Sequence, residues 1–301
     1  MKDTQRHPDV LTQSIGDTLL TYLLYEGKGP TLVMLHATGF LPWLWHPIAR
    51  SLSSSCRVIA PYFCDHRESD PDEGGLNWMT LAGDFSDFCG ALKVEKPFLV
   101  GHSMGATVLT IAAALHDVKP AAMVLIEPIF LPRDFYSPDI EVKDHPLAAK
   151  SIQRRNQWRD ASEARDYLQS RTLFKPWDEE MLSLYIQHGM RERPEGGLEL
   201  SCSPRREAAL FMGGVQYDPW PLLPRVTCPV LVIEGEQSDN RHFIDLKKIT
   251  SLFPDATHRM IRNAGHLVPM EKPAETTAVI REFFRLVPGM PDSADPLRKQ
   301  D

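Results

Sequence analysis

The chain has few cysteines, and no pattern pairs them. Five cysteines are scattered through 301 residues, namely Cys56, Cys64, Cys89, Cys202 and Cys228. An odd, dispersed set without a Cys-x-x-Cys motif predicts neither a disulfide framework nor a zinc site. The eleven histidines also lack a His-Glu-x-x-His motif or a comparable ligand spacing. We therefore expect no metal ion and no other cofactor.

Long apolar runs and basic stripes are missing as well. No run reaches the ~18 apolar residues of a membrane-spanning helix, and the polar residues 1–10 do not lead into a signal-peptide segment. The net charge is −7, and no lysine- or arginine-rich stripe is interleaved with aromatic residues. This composition argues against a nucleic-acid interface. We expect a cytoplasmic protein without a membrane span that acts on a small molecule.

What the chain does have is an alternation of strand-like and helix-like segments. At 301 residues and 43% hydrophobic content, it can bury a large core. Strand patterns occur at 19–25, 31–37, 56–63, 97–102, 121–127, 229–235 and 257–262, and helix patterns at 43–52, 80–92, 104–116, 242–253 and 273–286. Such alternation predicts an α/β fold with a mostly parallel sheet flanked by helices.

The alternation stops in the middle of the chain. Residues 129–218 carry helix patterns at 146–160, 162–170, 178–190 and 204–211, with no strand signal. We interpret this stretch as a helical cap inserted into a core made of residues 1–128 and 219–287. Its aromatic side chains could line a pocket, although each alone is more typical of internal packing: Phe174, Trp158, Trp177 and Trp220. The proline- and charge-rich residues 288–301 are predicted to be disordered.

The most informative motif is the pentapeptide Gly-His-Ser-Met-Gly at residues 101–105. It lies between a short apolar strand and a helical run, and a Gly-x-Ser-x-Gly sequence in that context forms a sharp turn that exposes the serine hydroxyl. Ser103 is therefore a candidate nucleophile. A serine hydroxyl is a weak nucleophile at neutral pH, so it needs a base, an orienting acid and an oxyanion site.

Each of these roles has a candidate. His266 follows a strand pattern on an Asn-Ala-Gly-His loop and is the predicted base. Two carboxylates stand just after strands, Asp239 and Glu127, and we favour Asp239 as the acid because it follows a strand on a loop whose turn is set by Gly235. Glu127 is the alternative. The backbone N–H of Met104, at the start of a helix, is one predicted oxyanion donor. The other is assigned to Thr38, in the loop after the strand at 31–37.

Together these segments resemble the α/β-hydrolase superfamily. The loop at residues 36–40 reads His-Ala-Thr-Gly-Phe, as in a smaller set of that superfamily, and it combines with the Ser103 pentapeptide, the Gly235–Asp239 loop and Gly265-His266. The resemblance covers most of the chain outside its middle third. It implies a serine hydrolase in which the cap covers the nucleophile and selects the substrate.

The predicted reaction is hydrolysis of a small carboxylic ester, with an apolar acyl or alcohol group, through an acyl-enzyme. The same parts would serve a lactone, a thioester or a carbon–carbon bond, and these alternatives remain open. A serine at the nucleophile position disfavours the dehalogenases and epoxide hydrolases that resemble this fold but use aspartate. A non-catalytic ligand-binding protein of the same fold is the alternative from another functional class. Oligomeric state is not predicted.

Overall fold

The computed structural model describes residues 7–63, 66–137 and 139–287. The described strands are β1 (Asp9–Ile15), β2 (Thr18–Tyr25), β3 (Thr31–Leu35), β4 (Arg57–Pro61), β5 (Phe98–His102), β6 (Ala122–Ile126), β7 (Gln157–Trp158), β8 (Met190–Glu192), β9 (Leu198–Leu200), β10 (Val230–Gly235) and β11 (Ala256–Ile261). The main sheet has eight strands in the order β1-β2-β4-β3-β5-β6-β10-β11. Within this eight-stranded sheet of the described residues, the pairings β1–β2 and β2–β4 are antiparallel and the others are parallel. The predicted mostly parallel α/β fold is confirmed.

The helices follow the strands in the manner of a parallel sheet. They are α1 (His46–Leu52), α2 (Trp78–Ala91), α3 (Met104–Leu115), α4 (Pro146–Ile152), α5 (Ala161–Ser170), α6 (Glu179–His188), α7 (Pro204–Gly213), α8 (Leu246–Thr250), α9 (Val268–Glu271) and α10 (Pro273–Arg285). On β5, Phe98 and Val100 enter one buried apolar cluster and Leu99 enters another. Because alternate side chains point to opposite faces, both faces of this central strand are covered.

One strand of the main sheet was not predicted. The first strand, β1, pairs with β2 as an antiparallel edge hairpin, and most of its residues are exposed. An edge strand with so little buried surface needs no apolar alternation, so its sequence carries no strand signal.

The segment between β6 and β10, called the insertion here, leaves the main sheet. It contains α4 to α7 close to the predicted helical stretches, but also a small three-stranded sheet in the order β7-β9-β8. The expectation of a stretch without strands was therefore wrong. Strands of two or three residues are too short to show a two-residue period.

Cys56 is buried, and Cys89, Cys202 and Cys228 are free thiols. Cys64 lies outside the described residues. Residues 288–301, for which disorder was predicted, lie outside them as well. In the described part of the chain, no helix combines the length and apolar character needed to cross a membrane.

Candidate active site

Ser103 occupies a strained turn between β5 and α3, with φ 53° and ψ −117°. A Cβ on Gly101 would lie 2.5 Å from the Cα of Ala106, and one on Gly105 would lie 2.4 Å from the carbonyl oxygen of Leu35. Glycine at both positions therefore lets the strand, the turn and the helix approach one another. A positive φ at a serine is the kind of strain that persists at functional sites.

His266 meets this serine from the loop after β11. Its Nε2 lies 3.1 Å from Ser103 Oγ, and its Nδ1 lies 3.0 Å from Oε2 of Glu127. When Nδ1–H donates to the carboxylate, Nε2 carries no proton and can accept one from the serine hydroxyl. The three side chains thus form a continuous line of hydrogen bonds.

Glu127 comes directly after β6 and has a positive φ of 49°. Its side chain is 1% exposed, and the carboxylate accepts hydrogen bonds from Gly235 N–H at 2.7 Å and from Ser238 Oγ–H at 2.7 Å. Gly235 is the last residue of β10, the neighbour of β6 in the sheet, and Ser238 lies in the loop that follows it. A buried carboxylate requires such donors, and here they also fix its direction toward His266.

The structure does not place Asp239 beside His266, so the preferred acid is corrected. Asp239 begins a short 3-10 helix and is exposed, and no hydrogen bond joins it to His266 in the described chain. Its neighbour Asn240 reaches the imidazole instead, with its amide nitrogen 2.9 Å from Nδ1. Chain order alone could not distinguish two carboxylates that follow adjacent strands. Glu127, the alternative, is the carboxylate at the imidazole.

Asn240 was not predicted, and its contact depends on the amide orientation. The Nδ1–H that donates to Glu127 cannot also accept from an amide N–H. A half-turn of the amide presents Oδ1 as a second acceptor to this N–H. No signal in the sequence marks this asparagine, because it becomes a neighbour of His266 only through the fold.

Two further side chains hold the backbone around His266. His102 Nε2–H donates to the carbonyl oxygen of His266 at 2.9 Å. Glu271 accepts from the N–H of Gly265 at 2.6 Å and from that of Leu267 at 3.2 Å. The residues before and after the imidazole are therefore both fixed by one carboxylate.

His102 is suited to a role without proton transfer. It is fully buried, and burial together with the neighbouring His266 lowers the pKa of its imidazole to about 3. The ring is neutral at physiological pH and keeps the tautomer that donates from Nε2. This geometry matches the expected packing and hydrogen-bonding role better than that of a second base.

The two predicted oxyanion donors lie on neighbouring elements. Met104 begins α3, where the first N–H groups have no partner within the helix. Thr38 lies in the loop 36–40, whose shape is held by His36: its Nδ1–H donates to Ala37 O at 2.8 Å, and its Nε2 accepts from Phe63 N–H at 2.9 Å. Met104 and Thr38 remain the predicted oxyanion donors.

A cavity of about 120 Å³ lies between this loop and the insertion. Its walls include Phe40, Tyr62, Tyr185 and His188. None of the four predicted pocket aromatics lines this cavity. Phe174 and Trp177 pack against Tyr185, Trp158 packs against Tyr167, and Trp220 donates to the carbonyl oxygen of Leu131. Internal packing, the more common role, is what these rings do.

Among residues 7–63, 66–137 and 139–287, no three His, Cys, Asp or Glu side chains are placed to hold one metal ion.

Comparison with known proteins gives consistent matches. Residues 32–279 match the family described as "Alpha/beta hydrolase family". The chain is similar to 2-(acetamidomethylene)succinate hydrolase of Mesorhizobium japonicum, with 26% identity over 86% of this chain and 89% of that protein. Among solved structures, E-2-(acetamidomethylene)succinate hydrolase superimposes with a TM-score of 0.78 at 24% identity, covering 93% of this chain and 100% of the other. An enol-lactonase from Burkholderia xenovorans gives 0.69 at 18% identity, covering 91% and 100%.

Proposed function

The chain belongs to the alpha/beta hydrolase family, and from this premise we propose that it is a serine hydrolase that cleaves a small carboxylic ester. The observation that carries the proposal is the line Ser103–His266–Glu127, with contacts of 3.1 Å and 3.0 Å. A serine beside an oriented imidazole is the arrangement that activates a hydroxyl for attack on a carbonyl carbon.

In this mechanism Ser103 Oγ attacks the carbonyl carbon while His266 Nε2 takes the serine proton. Glu127 stabilises the imidazolium and keeps its orientation. The N–H groups of Met104 and Thr38 donate to the oxyanion of the tetrahedral intermediate. His266 then returns the proton to the leaving alcohol. Water, activated by the same imidazole, hydrolyses the acyl-enzyme and restores the serine.

The cavity beside the loop 36–40 supports the choice of a small substrate. It borders Gly39 and Phe40, which follow the predicted donor Thr38, and its lining does not include Ser103 or His266. We therefore assign to it the acyl or alcohol group, which its volume of about 120 Å³ and the rings of Tyr62 and Tyr185 suit. Lactone, thioester and carbon–carbon bond hydrolysis use the same machinery and are the alternatives. Hydrolysis of a substrate related to 2-(acetamidomethylene)succinate is a further candidate, because that relative matches over most of both chains.

A ligand-binding protein without catalysis is the competing hypothesis. It would have no need for a serine in a strained turn, nor for a buried carboxylate held by Gly235 and Ser238 and aimed at an imidazole. These features cost stability and are useful when a proton must move.

Labelling with a fluorophosphonate probe tests the proposal directly. We expect the wild type to be labelled on Ser103, Ser103→Ala and His266→Ala to lose labelling, and Ser251→Ala, which changes an exposed serine, to retain it. A screen of short esters, lactones, thioesters and acetamido acids then ranks the substrates. A folded wild type that takes no label and turns over nothing would support the ligand-binding alternative.

A further inference from the structure

An ion pair within the insertion lies beside the loop 36–40. Nη1 of Arg154 donates to Oε2 of Glu207 at 2.6 Å, and the two side chains are 25% and 11% exposed. Arg154 follows α4, and Glu207 lies on α7. Burial acts to lower the pKa of Arg154, but Tyr185 and Glu207 together raise it above its ordinary value.

The free side of Glu207 faces Gly39. A Cβ on Gly39 would lie 2.1 Å from Oε1 of Glu207 and 2.8 Å from its Cδ. The carboxylate therefore fills the space beside the Cα of Gly39. Gly39 itself has a φ of 73°, a conformation that favours glycine, and follows Thr38 directly.

Helix α7, which carries Glu207, packs against the segment that leads into α2. Leu76 N–H donates to Ala209 O of α7 at 3.0 Å, and Trp78 Nε1–H donates to Leu210 O at 2.8 Å. A Cβ on Gly213 would lie 1.6 Å from the carbonyl oxygen of Leu76. Helix α7 thus sits directly on the backbone of the segment before α2, and Glu207 is held in place with it.

Arg154 connects this contact to the next residue of the loop. Its Nη2 donates to the hydroxyl of Tyr185 at 3.2 Å, and the ring of Tyr185 meets the ring of Phe40 edge to face at 5.8 Å. One guanidinium therefore organises two side chains, and these contact two successive residues of the loop, Gly39 and Phe40.

A partly buried ion pair is a weak source of stability, because desolvation offsets most of the attraction between the charges. The ion pair between Arg154 and Glu207 instead fixes the position of the Glu207 carboxylate. We propose that Glu207, held by Arg154, is a positioning residue for the oxyanion site: its carboxylate fixes the turn at Gly39 and so the direction of the Thr38 N–H. The inference rests on the proposed function, because it concerns the oxyanion donor of that reaction.

The test compares p-nitrophenyl acetate with its thionoester analogue, in which sulfur replaces the carbonyl oxygen. Sulfur is larger and accepts hydrogen bonds poorly, so a well-formed oxyanion site prefers the oxygen ester. For E207Q, we expect kcat on the oxygen ester to fall roughly tenfold with KM nearly unchanged, less than the loss from deleting an oxyanion donor. The preference for oxygen over sulfur should shrink by a similar factor.

Two further variants separate positioning from folding. R154M/E207M replaces the ion pair by apolar side chains, which often preserves stability, and should show the same loss of preference in a folded protein. E163Q is the matched control, because Glu163 pairs with Arg155 at 2.7 Å within the insertion. It should behave like the wild type.

The outcomes distinguish the two proposals. A wild type without turnover or fluorophosphonate labelling overturns the serine-hydrolase function and this inference with it. An active wild type whose oxygen-to-sulfur preference is the same in E207Q and R154M/E207M overturns the inference alone. A fall in melting temperature for E207Q with an unchanged preference would assign Glu207 a structural role only.

Discussion

Oε2 of Glu127 lies 3.0 Å from Nδ1 of His266, although 139 positions separate the two residues in the chain. The same carboxylate accepts hydrogen bonds from Gly235, at the end of β10, and from Ser238 in the loop that follows it. Glu127 thus joins the ends of two adjacent parallel strands and reaches the loop after a third. This contact is possible because β6, β10 and β11 are consecutive in the sheet.

Replacing Glu127 by glutamine should remove most of the turnover. An amide in this place stabilises the imidazolium poorly and allows the wrong tautomer of His266, so we expect kcat to fall by about 10³ to 10⁴, as in serine proteases. Asp239→Asn is the matched control and should cost less than about tenfold, because Asp239 is exposed and, among the described residues, the imidazole Nδ1 is hydrogen-bonded to Glu127 and Asn240 and not to Asp239. Both are measured by steady-state kinetics on the best ester. The reverse ranking would return the acid to Asp239.

A carboxylate introduced at Asn240 should rescue the Glu127→Gln variant. The Asn240 amide lies 2.9 Å from Nδ1 of His266, so aspartate there can accept the same N–H. We expect Glu127→Gln/Asn240→Asp to recover at least about tenfold in kcat over Glu127→Gln, since charge-assisted hydrogen bonds are the stronger ones. Glu127→Gln/Asn263→Asp, with its new charge on an exposed turn, controls for net charge. Equal rates in the two double variants would contradict the rescue.

Gly235 should tolerate no side chain. A Cβ there would lie 2.1 Å from the carbonyl oxygen of Gly265, the residue before His266. We expect Gly235→Ala to destabilise the protein by about 1–3 kcal/mol and to lower kcat by displacing the histidine loop. Gly90→Ala is the control: it adds a methyl group with nothing within 4 Å on α2, and should stabilise by about 0.5–1 kcal/mol. Urea unfolding and kcat measure both. Full activity in Gly235→Ala would show that the loop carrying His266 accommodates the added methyl group without displacing the imidazole.

Acidification should destabilise the protein partly through His46. Burial and the nearby Arg50 lower the pKa of His46 from 6.5 to about 4, and Tyr25 shares a hydrogen bond with its Nδ1 at 2.9 Å. Between pH 6.5 and about 4, His46 is protonated in the unfolded chain but neutral in the folded chain, so the free energy of unfolding decreases as the pH falls. We expect the melting temperature of the wild type to drop about 2–4 °C more than that of His46→Gln between pH 7 and 5.

His242→Gln, which removes an exposed imidazole, is the control for this pH series. Parallel melting curves for the wild type and His46→Gln across the range would show that His46 takes up no proton on unfolding.

The sequence predicted the parts of the site that depend on local geometry. The turn at Ser103 was predictable because the two glycines of the pentapeptide permit the close approach of the strand and the helix. The loop that ends in Gly265-His266 was predictable because it follows a strand pattern. The sequence predicted the fold class but not the order of the eight strands, because the alternation of strands and helices does not indicate which strands pair. The edge strand β1 and the short strands of the insertion carry too little buried surface to leave a pattern.

The sequence by itself determined the α/β class, the turn at Ser103 and the presence of a histidine and two carboxylates after strands. The tertiary structure decided which carboxylate faces His266, that Asn240 shares its Nδ1, and that Glu207 lies against Gly39. The reason is range: a turn is fixed by the steric demands of neighbouring residues. A contact between different elements, whether 26 positions apart as for Asn240 and His266 or 139 apart as for Glu127 and His266, depends on strand order and on how the loops and the insertion pack, which no local pattern encodes.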